Sequence, residues 1–290
     1  MAKWHRLPAC GFSIRIQANT GEHRLEAYAT KLLKEQIMNN TDSQFQDAGG
    51  PWDVGMERIP LVTIDGGSVT IKNYRNFRYE RDGTHEENYE TRTISIPAVV
   101  SADFIVVPFA KQPDLAHTMM SFGFDDGQHI VVSVEARRRL NQKYGIIKGI
   151  FGAFPLMYAI ADERDAIGQR TEIRGDDVYL YRSGATPSQI QSFLNCVMHR
   201  VHKLSQAPET YNTITNNCLT NIRYHINRIW PKRVPWNWRL LVNAHSDYLA
   251  YKLGLLQSHE SFESTREHAN ITPKAKGNWH REDFSELIRK

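Results

Sequence analysis

The first long run of patterned residues, "HRLEAYATKLLKEQIMNN" (23–40), has apolar side chains at 25, 28, 29, 32, 33 and 37. That is the period of an amphipathic helix. It passes into "NNTDSQFQDAGGP", which reads as a linker. Residues 1–49 are therefore expected to be an extension. From Trp52 the period shortens. "GSVTIKNYRNFRYE" alternates as strands do, and "TRTISIPAVV" and "DFIVVPFA" are further extended runs. In "AHTMMSFGFDDGQHIVVSVEAR" two strand-like runs flank Asp125, Asp126 and Gly127, a strong hairpin signal. "PLMYAIA" and "DDVYLYR" add two more strands.

The helical period returns in "ATPSQIQSFLNCVMHRVHKLSQ". Thr186 suits the N-cap, Pro187 the first helical position and Gln189 the capping box. Ile190, Phe193, Leu194, Val197, Met198, Val201 and Leu204 form one stripe, with Cys196 off its centre. Leu219, Ile222, Ile226 and Ile229 make a second amphipathic helix, starting at or near Cys218. "VPWNWRLLVNAHSDYLAYKLGLL" has helical spacing in its second half. Residues 257–290 are polar and read as a loosely attached tail. The pattern predicts an α+β fold in residues 50–256, an antiparallel sheet with helices grouped on one side.

Composition narrows the function. The 290 residues are 41% hydrophobic and 10% aromatic, enough for a folded core. A net charge of +4, spread along the chain, does not call for nucleic acid. Three cysteines without a CxxC pair argue against a disulfide framework and a structural zinc site. His199 and His202 share a polar helix face with no evident third ligand, so neither a metal nor another cofactor is expected. The N-terminus lacks the apolar core of a signal peptide. The nearest approach to a membrane span, "GIIKGIFGAFPLMYAIA" (145–161), is broken by Lys148 and Pro155 and reads as a turn and a buried strand.

Cys218 is the candidate centre of chemistry. A thiol in the first turn of a helix feels the positive end of the dipole, which favours thiolate, the nucleophilic form. Asn216 and Asn217 are candidate caps. A lone cysteine in such a place is more often simply packed, so a base decides the matter. His225 lies two turns up the same helix, about 10 Å away by helical rise, which is too far. His117 opens the hairpin. If Asp125-Asp126-Gly127 forms a three-residue loop, Phe124 pairs with Gln128 and His117 stands opposite Glu135, close enough for the carboxylate to orient the imidazole. A two- or four-residue loop would put Ala136 there instead. The Cys218 backbone N–H, Asn212 and Tyr211 are candidate oxyanion donors. Asp162, Glu163 and Arg164, in "DERD", together with Arg170, are candidates either for lining the site or for a salt-bridged loop.

Taken in order, "VTIKNYRNFRY", "AHTMMSFGFDDGQHIVVSVEARR", "YAIADERD", "GDDVYLYR" and "YNTITNNCLTNI" resemble the N-terminal extracytoplasmic domain of bacterial lipoprotein intramolecular transacylases. The resemblance covers roughly residues 50–256. It implies a circularly permuted papain-like fold, in which the histidine precedes the cysteine, and thiol-based acyl chemistry. Cys218 would be the nucleophile, His117 the proton carrier and Glu135 the orienting group. Asn212, six residues before Cys218, holds the spacing of the papain oxyanion glutamine. Asn217 would help position the site. The implied partners are an acyl ester or amide, such as a lipoprotein or phospholipid, and a membrane surface in the bacterial envelope. Two other readings stay open: a cysteine peptidase or amidase acting on cell-wall peptide, and a binding module without catalysis.

Overall fold

The computed structural model describes residues 50–80, 82, 84–110, 112–230, 234–240 and 243–290. The helix expected over 23–40, its linker to residue 49 and Cys10 lie outside them. Within the described residues, the strands are β1 (Leu61–Asp65), β2 (Ser68–Arg75), β3 (Arg78–Tyr79), β4 (His85–Glu86), β5 (Tyr89–Ser95), β6 (Val99–Phe109), β7 (Gln112–Phe124), β8 (His129–Ala136), β9 (Leu156–Asp162) and β10 (Tyr179–Arg182). The helices are α1 (Ile146–Ile150), α2 (Glu163–Gly168), α3 (Pro187–Gln206), α4 (Cys218–Ile229), α5 (Ser246–Lys252), α6 (Phe262–Ala269), α7 (Thr272–Ala275) and α8 (Phe284–Leu287).

An eight-stranded sheet runs in the order β1-β2-β9-β8-β7-β6-β10, with β5 also paired to β2. Its ladders are antiparallel except at β2 and β9, which meet in parallel at Arg75↔Ala161. The sheet is therefore mixed at one junction rather than wholly antiparallel. The capping box of α3 forms as the sequence predicts, between Thr186 and Gln189.

The helices are not grouped on one side. On β6, β7 and β8, Phe104, Val106, Phe122, Ile130 and Val132 share a core with the apolar stripes of α3 and α4. Their neighbours Ile105, Val107, Met119 and Val131 share a second core with Ala166 and Ile167 of α2. Successive side chains of a strand point to opposite faces. The unbroken apolar run "DFIVVPFA" thus needs cover on both sides, as strands buried on two faces do.

Much of that second cover comes from the segment expected to be a loose tail. Ile271, Ala275, Trp279, Phe284 and Ile288 are buried in the second core. They recur at intervals of four or five among polar residues, which dilutes the signal. Arg289 then ties the segment to the sheet. Its guanidinium lies 2.6 Å from Glu163 and 2.8 Å from Asp103, both almost fully buried. Ser121 Oγ donates to the same Glu163 at 2.5 Å. At the other end of the described chain, Arg137 donates to the Met56 and Glu57 carbonyls and Arg138 pairs with Asp53. Arg137 and Arg139 also flank the Trp52 ring. Arg137, Arg138 and Arg139 thus strap residues 50–57 to the end of β8.

Burial alone would raise the Glu163 carboxyl, but Arg289 outweighs it and holds the pKa at about 2. A depressed carboxylate contributes stability that is present above its unfolded value of about 4.3 and is lost as pH falls through the folded one. Glu163→Gln should cost about 3 kcal/mol at neutral pH, the low end for breaking a buried pair, because Asp103 still faces Arg289. Thermal melts of wild type and variant should differ most above about pH 5 and converge as pH falls toward 2. Parallel curves would show that the pair contributes nothing to folding.

Candidate active site

Two elements bring the candidate residues together: the β7–β8 hairpin and the N-terminus of α4. The hairpin closes through a three-residue loop, which settles the length the sequence left open. The Phe124 N–H donates to the Gln128 carbonyl at 2.9 Å, and Gly127 takes φ of +83°, a left-handed value that suits glycine. Pairs from Gly123↔His129 to Met119↔Ser133 follow that register, and the ladder stops there. Two residues further on, His117 and Glu135 stand where the register puts them opposite each other. His117 Nε2 lies 3.1 Å from Glu135 Oε1. Ser133 Oγ donates to Glu135 Oε1 at 2.6 Å and lies 2.6 Å from His117 Nε2. With Nε2 so engaged, Nδ1 is the ring atom left for the thiol.

Cys218 is the first residue of α4, and Asn217 is its N-cap. Asn217 Oδ1 accepts from the Thr220 N–H, Thr220 Oγ1 accepts from the Asn217 N–H, and Asn217 Nδ2 donates to the Thr213 carbonyl. Asn217 thus fixes the helix start, with one of its two amide N–H groups committed to the Thr213 carbonyl. Asn221, one turn on, ties the same corner by donating to Asn216 Oδ1 and the Asn217 carbonyl.

The electrostatics of the three groups are coupled. Burial pushes the Cys218 thiol up, but the hydrogen bond and charge of His117, helped by Thr118, bring its pKa below the ordinary thiol value. Burial pulls His117 down, but the Glu135 carboxylate, helped by a hydrogen bond with Cys218, outweighs both this and the nearby Arg170, so the imidazole is raised. Burial would raise Glu135, yet His117, Arg170 and Ser133 hold it well below the carboxylate range. The arrangement favours thiolate, imidazolium and carboxylate in line, the charge state a nucleophilic cysteine needs.

A cleft of about 400 Å³ opens on this trio, with Tyr211, Asn217, Arg170 and Asn243 also on its walls. Arg170 is buried, 3.9 Å from Glu135 and 4.0 Å from Asp176, and burial brings its pKa down to about 10. Tyr211 lies beside the thiol. Burial first, and then the Cys218 charge, push its hydroxyl well above the usual value, so it stays a donor.

Other expectations are corrected. Asn212 is consumed by its own loop: Nδ2 donates to the Ile150 carbonyl, and Oδ1 accepts from the Ile214 and Thr215 N–H groups. It is not on the walls of the thiol cleft, so papain-like spacing does not carry papain-like placement. Asp162, Glu163 and Arg164 lie away from the cleft, because β9 ends beside Ile130, five residues along β8 from Glu135. That is about 16 Å of strand. Asp162 caps α2 and binds Arg164, and Glu163 holds Arg289. The fourth residue of "DERD", Asp165, receives hydrogen bonds from Arg75, the Phe77 N–H and Tyr79. The run is structural, and only Arg170 of that group reaches the cleft.

Sequence reasoning missed Asn243. It stands on a short 3-10 turn, Asn243–His245. Its Oδ1 accepts from the Ala116 N–H at 2.8 Å, its Nδ2 donates to the Ala116 carbonyl at 2.5 Å, and Nδ2 lies 3.7 Å from Cys218 Sγ. One amide clamps the strand residue before His117 and faces the thiol. Within a helix-like run of sequence, an asparagine carries no signal of such a role.

The site is thus a thiol at a helix N-terminus facing a histidine–carboxylate pair on a hairpin. The family described as the Lnb N-terminal periplasmic domain matches residues 85–244, and the chain belongs to it. That family is one of bacterial lipoprotein-processing proteins. The match takes in His117, Glu135, Cys218 and Asn243 but ends before the Arg289 segment. No curated protein and no solved structure matches the chain.

Glu135→Gln removes the carboxylate charge that raises His117 and leaves burial and Arg170 opposed by the Cys218 hydrogen bond. The imidazole should then titrate lower than in the wild type, as followed by the His117 ring proton shifts. A His117 midpoint unmoved by the substitution would mean that Glu135 does not set the histidine's charge.

Proposed function

We propose that the protein is a cysteine-nucleophile acyltransferase or hydrolase. It works through an acyl-thioester on an acyl ester or amide, with a lipoprotein or lipid as the acyl source. The observation that carries this reading is the hydrogen-bonded Glu135–His117 pair beside a buried thiol whose pKa is lowered. Membership of a lipoprotein-processing family supports the acyl source.

In the first half-reaction the Cys218 thiolate attacks the acyl carbonyl carbon. The carbonyl oxygen gains negative charge and is met by two donors. One is the Cys218 backbone N–H, which as a first-turn group has no acceptor within the helix. The other is the Asn243 amide. His117, as imidazolium, gives its proton to the departing alcohol or amine while the carbon–oxygen or carbon–nitrogen bond breaks. In the second half-reaction an amine or water attacks the thioester and neutral His117 takes its proton. The carbon–sulfur bond breaks, and thiolate and imidazolium are restored. Glu135 holds the ring in place and favours its charged form throughout.

Thiol reactivity tests this reading before any substrate is identified. At pH 6, iodoacetamide should label Cys218 faster than Cys196, whose thiol is raised by burial. Equal rates would sink the low-pKa nucleophile. Incubation with a diacylated lipopeptide should give an acyl adduct by intact mass in the wild type and none in Cys218→Ala. In turnover, His117→Ala should cost about a thousandfold and Asn243→Ala about a hundredfold. An adduct formed with cell-wall peptide instead of lipopeptide would point to the peptidase or amidase reading. Full turnover in Cys218→Ser would leave a binding module or another catalytic group.

A further inference from the structure

The peptide unit between Asn217 and Cys218 is trans, so its C=O and N–H point in opposite directions within one rigid plane. The N–H faces out of the start of α4, and the carbonyl faces in. Three donors meet that carbonyl: the Asn221 N–H at 3.1 Å, Asn221 Nδ2 at 2.8 Å and Thr220 Oγ1 at 3.2 Å. A helix start requires only the first of them. At the head of α3, the Thr186 carbonyl accepts the Ile190 N–H and, among the described residues, no second donor.

Asn221 is itself held by a buried chain of hydrogen bonds that has a single consistent direction. Its Nδ2 spends both protons, on the Asn217 carbonyl and on Asn216 Oδ1. Its Oδ1 takes the one proton of the Tyr158 hydroxyl, on β9, at 3.0 Å. Tyr158 then accepts from His225, whose Nε2 lies 3.0 Å away. That fixes the tautomer. Nε2 carries the hydrogen, and Nδ1 accepts from the Cys196 thiol on α3, 3.2 Å away. Burial, with Arg200 and Arg228 nearby, brings the His225 pKa down to about 3, so the ring stays neutral. Asn221, Tyr158 and His225 are all buried. A buried network in which every member is paired is rigid, because moving one member strands another. His225, too distant from Cys218 to serve as its base, thus acts on the same helix start from behind.

We propose that Asn221 is a positioning residue for the oxyanion, with Tyr158 and His225 as its support. By pinning the Asn217 carbonyl, it aims the Cys218 N–H at the oxygen of the acyl group. This role presupposes the thioester reading and adds what orients the backbone donor which that reading uses. Stabilisation of an oxyanion depends on donors fixed before the charge develops. The hydrogen bonds on the carbonyl also polarise the peptide, which strengthens its N–H as a donor.

Two reactions of the same thiol separate this role from a merely structural one. Acylation by p-nitrophenyl acetate forms a carbon–sulfur bond at a carbonyl whose oxygen becomes charged before the carbon–oxygen bond breaks and nitrophenolate leaves. Alkylation by iodoacetamide displaces iodide at a saturated carbon and creates no oxyanion. Both are measured in the full-length protein as adduct mass on the Cys218 peptide. Asn221→Leu should slow acylation about a hundredfold and Tyr158→Phe about tenfold, with alkylation within about twofold of the wild type. The pH midpoint of alkylation should stay where it is. Ile226→Ala, on the apolar stripe of the same helix, removes packing without touching the chain and should leave the ratio of the two rates unchanged. Tyr158→Phe deletes a single oxygen and gives the answer even where Asn221→Leu does not fold. Equal losses in both reactions, or undiminished acylation in the variants, overturn the positioning role and leave the thioester standing. A wild type that alkylates at Cys218 but takes no acyl group overturns the thioester reading, and the positioning role with it.

Discussion

The register of one hairpin governs the site. His117 and Glu135 meet only because the Asp125-Asp126-Gly127 loop pairs Phe124 with Gln128 and carries that alignment down the strands. A slip of one residue would turn every side chain of one strand to the other face. Glu135 would then be replaced by Ala136, and the buried imidazole would lose the charge that sustains its own. The ladder ends at Met119↔Ser133, so the catalytic candidates lie just past its last pair, where the strands no longer bond to each other and other side chains can enter. Asn243 fills that opening, holding Ala116 on both its polar atoms.

The second requirement is that α4 begin at Cys218. Asn217 and Thr220 cap each other, and Asn217 also holds Thr213, so the loop and the helix start move as one body. The thiol's lowered pKa depends on this placement because it sets the sulfur beside His117 and Thr118, where burial alone would push it the other way. The same helix packs its apolar stripe, Leu219 and Ile222 among it, into the first core.

At the far end of the sheet, charge is used differently. Arg75 with Asp165, and Arg289 with Glu163 and Asp103, are buried pairs that fasten loops and the C-terminal segment to the strands. Their carboxylates are satisfied by guanidinium groups, hydroxyls and backbone N–H groups, and none faces the thiol cleft. Acidic residues grouped in sequence are therefore divided by the fold between structure and chemistry. Glu135 alone of the candidate carboxylates stands beside a titratable partner in an open cleft.

The sequence by itself determined the local structure: the hairpin, the capped α3, the helix beginning at Cys218 and the strands between. Each depends on short-range patterns of period, caps and turn residues, which a chain expresses within a few positions. It also singled out His117, Glu135 and Cys218, because strand register converts sequence spacing into distance. What only the tertiary structure decided were the contacts between distant segments. Asn212 has the spacing of an oxyanion donor, but its loop claims its amide, while Asn243, 127 residues from Ala116, reaches the thiol region across the fold. The polar segment after Gln257 became much of the cover of the second core, because five apolar side chains spread over eighteen residues need a partner surface to become a face. That surface lies on strands far away in sequence, and no local period marks such a match.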